Sequence, residues 1–308
     1  MFSIVIPTHN RAAILQRSLT HLLELDNIRD CEIIVVNDGS TDATSSVLEH
    51  FAQRAPAVIR VIIVPNGGPA KARNIGVAAA TLDRILFIDD DVFPRNGMLQ
   101  QHWKFLDEGY TGSQGLLLWH EEISISRLIQ YIDSRGSQFA FDDVKNPSNL
   151  GFEHVYTGNF AVLRDALLAA GGFDEQLFDR QLAFSAFEDT VLGYQLKNTG
   201  AHLALNRQAI ADHLHHMTEE EYLRREYKVG CAIARLQHTY PEITKALGLQ
   251  QKGRLAKLQA ALLGPINASL SQRLIFGYSL SMRLRHREAS YRGYLNYKQG
   301  MQQRGLVH

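Results

Sequence analysis

Four apolar residues at positions 85–88 lead directly into three consecutive aspartates, Asp89, Asp90 and Asp91. An apolar run of this length without alternation is typical of a strand buried on both faces. Such a strand delivers the aspartates to its carboxyl end, where open α/β sheets bind their ligands. Adjacent carboxylates repel one another, and a hard cation such as Mg²⁺ or Mn²⁺ offsets that repulsion. The pattern therefore predicts either a metal site or a solvated acidic turn.

The chain before this strand alternates between strands and helices. Apolar strands are predicted at residues 3–6, 32–36 and 58–64, and helical spacing follows the first at residues 12–25. A turn with Gly67 and Gly68 then enters another helix, without the spacing of a dinucleotide fingerprint or a P-loop. Strands that alternate with helices through short loops predict a parallel sheet with helices on both faces.

Polar residues follow several of these predicted strands. Asp38 comes after the second strand, Arg73 lies just past the glycine turn, and the three aspartates follow the fourth strand. An arginine can bind phosphate, and an acidic cluster can hold a metal that bridges the same phosphates. This combination predicts a site for a nucleoside diphosphate.

Seven segments of the chain resemble glycosyltransferase family 2 in order and spacing. They are residues 3–11, 35–42, 68–76, 87–91, 157–160, 171–175 and 187–193. The resemblance covers about residues 1–216 and implies a GT-A fold, with a mixed, mostly parallel sheet flanked by helices. It implies an inverting, hexosyltransferase-type reaction that moves a sugar from a nucleotide-diphosphate sugar, with UDP-sugar favoured, to an acceptor hydroxyl. Mg²⁺ or Mn²⁺ is the implied cofactor, and the implied setting is polysaccharide, glycolipid or cell-envelope glycan synthesis.

The resemblance also implies roles for single residues. Asp189 would be the catalytic base and Glu188 an orienting or acceptor-contacting group. The implied nucleotide-binding residues are Pro7, Thr8, Asn10, Arg11, Asp38, Gly68, Arg73, Asp89 and Asp90. The implied metal ligands are Asp91 and His213, with Asp89 and His215 as further candidates. Gly158 and Asn159 are expected at the acceptor, and Val92 stands where many relatives carry a further acid.

Two of these assignments have a simpler alternative. Glu188 and Asp189 precede a helical pattern, where acids are also favoured by the helix dipole. An inverting transfer, however, needs one base on the face opposite the leaving group, and the resemblance to the family implies Asp189 in that place. His213, His215 and His216 form a cluster that is either a metal site or an exposed surface.

Charge is unevenly distributed, although the chain is formally neutral. Residues 1–216 carry 17 Lys and Arg against 26 Asp and Glu, and residues 217–308 carry 15 against 6. We predict a catalytic domain at 1–216 and a basic helical extension at 217–308. Basic residues of the extension lie near aromatic ones: Arg283, Arg285, Arg287 and Arg292 near Tyr278, Tyr291, Tyr294 and Tyr297. Such helices either contact an anionic membrane that holds a lipid-linked acceptor or pack on the catalytic domain.

Several other classes are disfavoured. Cys31 and Cys231 lack the spacing of a disulfide scaffold or a zinc site. We expect neither a signal peptide nor a membrane span, hence a cytoplasmic protein that is at most peripheral at the inner face of the membrane. No recognition motif accompanies the basic charge, so no nucleic-acid partner is expected.

Two rival functions stay open beside the transferase. A sugar nucleotidyltransferase would carry a glycine-rich loop with Arg and Lys directly after the first strand, which residues 8–11 lack. A non-catalytic nucleotide-sugar-binding subunit would have lost the acidic run or the Glu188–Asp189 pair, and both are present.

Overall fold

The computed structural model describes residues 1–134, 139, 141–249 and 270–303. Strands and helices alternate through the first part of the chain. The strands are β1 Ser3–Thr8, β2 Glu32–Asp38, β3 Ile59–Val64, β4 Arg84–Ile88, β5 Val92–Pro94, β6 Gly112–Trp119, β7 Asn159–Leu163 and β8 Leu203–His213. The helices are α1 Ala12–Leu22, α2 Thr44–Arg54, α3 Pro69–Ala79, α4 Met98–Asp107, α5 Arg127–Ser134, α6 Arg164–Ala169, α7 Glu188–Asn198, α8 Glu219–Thr239, α9 Pro241–Ala246 and α10 Leu270–Gln303.

The eight strands of the described residues form one sheet in the order β3-β2-β1-β4-β7-β6-β8-β5. The adjacent strands among β1 to β4 are parallel to one another, as the sequence predicts. β7 runs antiparallel to both β4 and β6, β6 is parallel to β8, and β5 is antiparallel to β8. The sheet is therefore mixed, with its parallel half supplied by the first four strands.

Both faces of the parallel half are buried, which explains the apolar runs without alternation. Ile4 and Ile6 belong to one hydrophobic cluster together with Leu15 of α1. Val5 points to the other face and belongs to a second cluster together with Ala72 of α3. Successive residues of one strand thus face opposite helix layers. Because both layers are apolar, every position of the strand must be apolar too.

The first strand is two residues longer than the predicted 3–6. β1 continues to Thr8 and stays paired with β2 up to Asn37, whereas its register with β4 ends at Val5. Pro7 lacks a backbone N–H, but it lies beyond the last residue of β1 that pairs with β4. The strand can therefore include Pro7 without losing a hydrogen bond to β4. The extra residues bring the Thr8 side chain to the carboxyl edge of the sheet.

The chain forms two compact units. One contains residues 1–124 and 139–215, and the other contains residues 125–138 and 216–308. The division into domains at residue 216 stays a prediction. Among the described residues, no helix combines the length and the apolarity needed to cross a membrane.

Within the second unit, α8 and α10 approach closely. A Cβ atom on Gly230 would lie 1.8 Å from the carbonyl oxygen of Ser290, so only glycine fits there. Tyr222, buried on α8, contacts Nδ1 of His286 through its hydroxyl at 2.7 Å. Among the described residues of the extension predicted at 217–308, α8 and α10 thus form a packed helical pair.

Candidate active site

The candidate site lies where β1, β2 and β4 end side by side. Pro7 and Thr8 close β1, Asp38 closes β2, and Asp89 directly follows β4. Parallel strands present their carboxyl ends at one edge of a sheet, so residues far apart in the sequence meet there. The structure brings most of the predicted site residues to this edge.

The three consecutive aspartates have different partners. Asp89 accepts a hydrogen bond from Nη2 of Arg73 at 2.7 Å. Asp90 accepts one from the Thr8 hydroxyl at 2.7 Å, and Nε of Arg11 lies 3.3 Å from its other oxygen. Burial, together with Asp91 and Asp89, raises the pKa of Asp90 to about 7, although Arg11 and Thr8 act in the opposite direction.

Asp91 forms a compact cluster with two histidines. Its two oxygens lie 3.3 Å from Nε2 of His213 and 3.3 Å from Nδ1 of His215. The pairing of β5 with β8 sets Val92 opposite His213 and so brings these residues together. One ligand atom from each of the three residues lies within 4.8 Å of the others, a set that could hold a metal ion.

Asp91 is ionised in this cluster. Burial alone would raise the pKa of its carboxyl group, but hydrogen bonds from His213 and His215 and the charge of Arg11 hold it well below its usual value. Arg11 also forms an ion pair with Asp91 through Nη2. Asp89 is not part of the cluster, because its carboxylate contacts Arg73 instead. Its predicted role as a metal ligand stays a prediction.

Arg73 is a buried cation between the acidic run and α7. Its side chain is 6% exposed, and Nη1 lies 3.7 Å from the Glu188 carboxylate. Burial would lower the pKa of the guanidinium, yet Asp89, Asp189 and Glu188 hold it above its ordinary value. Within the described part of the chain, Nε and Nη1 of Arg73 have no hydrogen-bond partner. Arg73 therefore brings a buried positive charge to this edge of the sheet.

Asp189 lies in the first turn of α7, and Thr157 donates two hydrogen bonds to its carboxylate. The backbone N–H of Thr157 donates to one carboxylate oxygen at 3.1 Å, and the Thr157 hydroxyl donates to the other at 2.8 Å. Desolvation, together with the charges of Glu188 and Asp89, raises the pKa of Asp189 to about 7, although Arg73 and the Thr157 N–H act in the opposite direction. A carboxyl group with such a pKa can accept a proton near neutral pH.

Asp38 and Asn10 shape the loops at the predicted nucleotide site. Asp38 accepts hydrogen bonds from the backbone N–H groups of Gly67 at 2.7 Å and Gly68 at 2.8 Å. Asn10 accepts one from the backbone N–H of Thr41 at 2.7 Å. Both side chains thus hold neighbouring loops in place, and their contact with a nucleotide stays a prediction.

Gly68 turns the chain into α3. It has φ +91°, and an added Cβ atom would lie 2.4 Å from the Phe178 ring. Backbone conformation and space both require glycine here.

Of the two predicted acceptor residues, Gly158 and Asn159, only the first borders the site. A Cβ atom on Gly158 would lie 3.2 Å from an Asp89 oxygen. Asn159 has no exposed surface and binds groups within the protein, and its contact with an acceptor stays a prediction. Its amide donates to the carbonyl oxygens of Leu116 and Ala209, and its oxygen lies 2.8 Å from Nε2 of His102.

Sequence reasoning did not single out two residues of this region. Thr157 lies within the motif at residues 157–160, but nothing in the pattern indicated that it binds Asp189. His102 is a buried residue on α4 whose Nδ1 lies 2.9 Å from the Ser113 hydroxyl. A polar residue within an otherwise apolar helix face was the only available signal for it.

A sequence model of glycosyl transferase family 2 matches residues 3–168, more than half of the 308 residues. The chain belongs to glycosyl transferase family 2. This family 2 chain is also 26% identical, over 309 residues, to the pre-mycofactocin glycosyltransferase of Mycobacterium tuberculosis. That alignment covers 94% of the chain but only 59% of the relative, so the chain spans little more than half of that protein's length.

Solved structures show the same architecture. A mannosyltransferase of Pyrobaculum calidifontis, in complex with GDP-Man and Mn²⁺, matches with a TM-score of 0.66 at 17% identity, over 95% of this chain and 86% of that one. Residues 1–349 of TarS from Staphylococcus aureus, in complex with UDP-GlcNAc, match with a TM-score of 0.56 at 17% identity, over 97% and 92%. These likenesses confirm the GT-A fold of this family 2 chain.

TarS is also a relative in sequence. The poly(ribitol-phosphate) β-N-acetylglucosaminyltransferase TarS of Staphylococcus aureus is 29% identical over 111 residues, which cover 36% of this family 2 chain and 19% of the relative.

Proposed function

We propose that this protein is an inverting, metal-dependent glycosyltransferase that moves a sugar from a UDP-sugar to a hydroxyl group of a glycan or lipid-linked acceptor. One observation carries the proposal. A single sheet edge holds both the cluster of Asp91, His213 and His215 and the half-buried carboxyl group of Asp189. Arg73 connects the two parts of the site through Asp89 and Glu188.

The cluster fits a divalent transition metal. Asp91, His213 and His215 supply one carboxylate and two imidazoles. Imidazole suits first-row transition metals better than Mg²⁺, which prefers oxygen ligands, so we propose Mn²⁺ rather than Mg²⁺. A bound Mn²⁺ would supply positive charge that stabilises the departing diphosphate. The Pyrobaculum mannosyltransferase structure, with its GDP-Man and Mn²⁺, supports this choice.

The donor nucleotide would lie over the ends of β1, β2 and α3. Arg73 presents buried nitrogen donors that suit a phosphate oxygen. Thr8, Asn10 and Asp38 form or support the loops where the base and ribose would bind. The TarS complex with UDP-GlcNAc supports UDP as the nucleotide.

The transfer would occur in a single displacement. The acceptor oxygen forms a bond to the anomeric carbon while the bond from that carbon to the diphosphate oxygen breaks. The electron pair of that bond leaves with the nucleoside diphosphate, and the hydroxyl proton passes to Asp189. A single displacement on the face opposite the leaving group inverts the anomeric carbon.

The setting of the reaction is proposed from a relative in sequence. Poly(ribitol-phosphate), named for TarS, is a polymer, which supports polysaccharide or cell-envelope glycan synthesis for this chain as well. We also propose a catalytic domain at 1–216, a cytoplasmic location and peripheral membrane contact through the extension. Arg283, Arg287 and Arg292 are exposed on α10, which supports contact with an anionic surface.

The test is hydrolysis of a panel of UDP-, GDP- and dTDP-sugars with Mn²⁺ or with EDTA. Asp91→Asn and Asp189→Asn are compared with Asp212→Asn, at a residue of β8 whose carboxylate accepts a hydrogen bond from Arg95. We expect wild type and Asp212→Asn to turn over one donor slowly in Mn²⁺. EDTA should abolish this turnover, and so should Asp91→Asn or Asp189→Asn. Metal-dependent binding of a donor without turnover, with water or an acceptor panel, would favour the non-catalytic subunit. Binding of no nucleotide sugar would overturn the proposal.

A further inference from the structure

Thr157 makes two different hydrogen bonds to one carboxyl group. Its backbone N–H and its hydroxyl donate to separate oxygens of Asp189, at 3.1 Å and 2.8 Å. The Thr157 residue has no exposed surface. A donor on each oxygen restricts rotation of the carboxylate and favours its ionised form.

The segment around Thr157 is itself fixed from the sheet interior. The backbone N–H of Tyr156 donates to the side-chain oxygen of Gln114 at 2.8 Å, and the Gln114 amide donates to the carbonyl oxygen of Asn159 at 3.0 Å. The amide nitrogen of Asn159 donates to Leu116 and Ala209 at 3.0 Å each. Buried groups therefore hold the backbone on both sides of Thr157.

The orientation of the Asn159 amide determines the tautomer of His102. Because the amide nitrogen already donates to two carbonyl oxygens, the amide oxygen must face Nε2 of His102, which then carries the proton. Nδ1 of His102 is left as the acceptor for the Ser113 hydroxyl. Every polar group of this anchor thus has a partner, and the anchor is rigid rather than adaptable.

We propose that Thr157 is a positioning residue, which holds Asp189 ionised and correctly oriented toward the acceptor hydroxyl, and that the buried Asn159–His102 pair holds Thr157. The inference rests on the proposed transferase function and on Asp189 as its base. With one donor on each oxygen, both oxygens keep a lone pair for the incoming proton. Thr157 would then act on the reaction through Asp189, without touching the substrate.

The charges around Asp189 make its ionisation sensitive to the Thr157 hydroxyl. Arg73 on α3 favours the ionised form, whereas Glu188 on α7 and Asp89 after β4 disfavour it. Loss of the hydroxyl removes a hydrogen bond to the charged form and leaves the opposing carboxylates in place, so the pKa of Asp189 rises. A base works only when deprotonated, and activity should therefore need a higher pH.

The test is the pH profile of kcat/KM for donor turnover, with saturating Mn²⁺, from pH 5.5 to 9.5. Thr157→Val keeps the branched shape and removes the hydroxyl, whereas Thr157→Ser keeps the hydroxyl. For Thr157→Val we expect the acidic limb to move up by about one pH unit, which lowers kcat/KM by about fivefold at pH 7 and restores it near pH 9. Thr157→Ser should follow wild type.

A loss of rate in Thr157→Val that is equal at every pH would overturn the inference, because it would indicate a structural role alone. Circular dichroism checks that the variants fold, and Thr157→Ala, judged by the same profile, replaces Thr157→Val if the latter does not. The result with Asp189→Asn separates the two proposals. Full turnover by Asp189→Asn would refute the base itself, whereas an inactive Asp189→Asn with an unshifted Thr157→Val would refute only the positioning role.

Discussion

Arg73 donates from Nη2 to the Asp89 carboxylate at 2.7 Å, and this pair connects the helix after the glycine turn to the end of β4. The guanidinium is buried, and three acidic residues surround it: Asp89, Asp189 and Glu188. A buried cation among several carboxylates lowers their mutual repulsion. Arg73 therefore offsets the charge of these three carboxylates before any ligand binds.

Replacing Arg73 should destabilise the fold. We expect Arg73→Gln to lower the free energy of unfolding by about 3 kcal/mol, because the change leaves partly buried carboxylates without their counter-charge. Urea unfolding followed by circular dichroism measures the loss. Arg95→Gln is the matched control, because the Arg95 side chain is 52% exposed in its pair with Asp212. This substitution should lower the free energy of unfolding by at most about 1 kcal/mol. Equal losses for the two variants would contradict this prediction.

The histidine cluster should determine metal affinity. We expect His213→Ala and His215→Ala each to weaken Mn²⁺ binding by roughly tenfold or more, because each removes a ligand atom from the set around Asp91. Electron paramagnetic resonance of free Mn²⁺ measures the affinity directly. His216→Ala is the control, because His216 is exposed and outside the cluster. A metal affinity unchanged in the first two variants would show that the ion binds elsewhere.

Arg11 should compete with the metal. Its guanidinium pairs with Asp91 and lies 3.3 Å from Asp90, so it supplies positive charge where a cation would bind. Without nucleotide, we expect Arg11→Gln to raise Mn²⁺ affinity by about tenfold, the factor that corresponds to 1.4 kcal/mol. The same resonance titration tests it, with Arg17→Gln, an exposed pair with Glu122, as the control. Weaker binding by Arg11→Gln would mean that Arg11 supports the metal site instead.

His102 should make stability depend on pH. Burial lowers its pKa to about 4, whereas in the unfolded chain the imidazole has its ordinary value near 6.5. As pH falls below about 6.5, the unfolded chain therefore binds a proton that the folded chain does not. Stability from this residue is complete above that pH and decreases by about 3 kcal/mol as pH falls to about 4.

This contribution can be isolated by a pair of variants. The free energy of unfolding should be higher for wild type than for His102→Gln at pH 7.5, and the difference should narrow by about 2 kcal/mol at pH 5. His50→Gln, at an exposed position on α2, should show no such change. A constant difference between wild type and His102→Gln would refute the assignment.

The parallel half of the sheet and its ligand-binding edge could be predicted because local sequence determines them. Apolar runs identify strands covered on both faces, and polar residues that directly follow a strand must lie at its carboxyl end. β5 and β8 were not predicted. β5 has only three residues. β8 carries exposed Arg207 and Gln208, and its pairing with β6 shifts register there, between Gly115 and Leu116 of β6. A short strand and an interrupted one give no clear periodic signal.

Contacts between side chains of distant segments could not be predicted. The aspartates at 89–91 look equivalent in the sequence, but they bind different partners because successive residues point in different directions. Asn159 looks like an exposed polar residue in a loop, and its partner His102 lies 57 positions away. Burial of an amide depends on whether distant groups satisfy it, which a local pattern does not contain.

The pairing of β5 with β8 gives the metal cluster a further property. Asp91 and His215 are 124 positions apart, so an ion bound by both would close a very long loop. Closing a long loop limits the conformations of the unfolded chain, as a disulfide does. Bound metal would then act as a removable cross-link between the acidic run and the last strand of the sheet. Chelation should accordingly loosen β5 and β8 before the parallel half of the sheet.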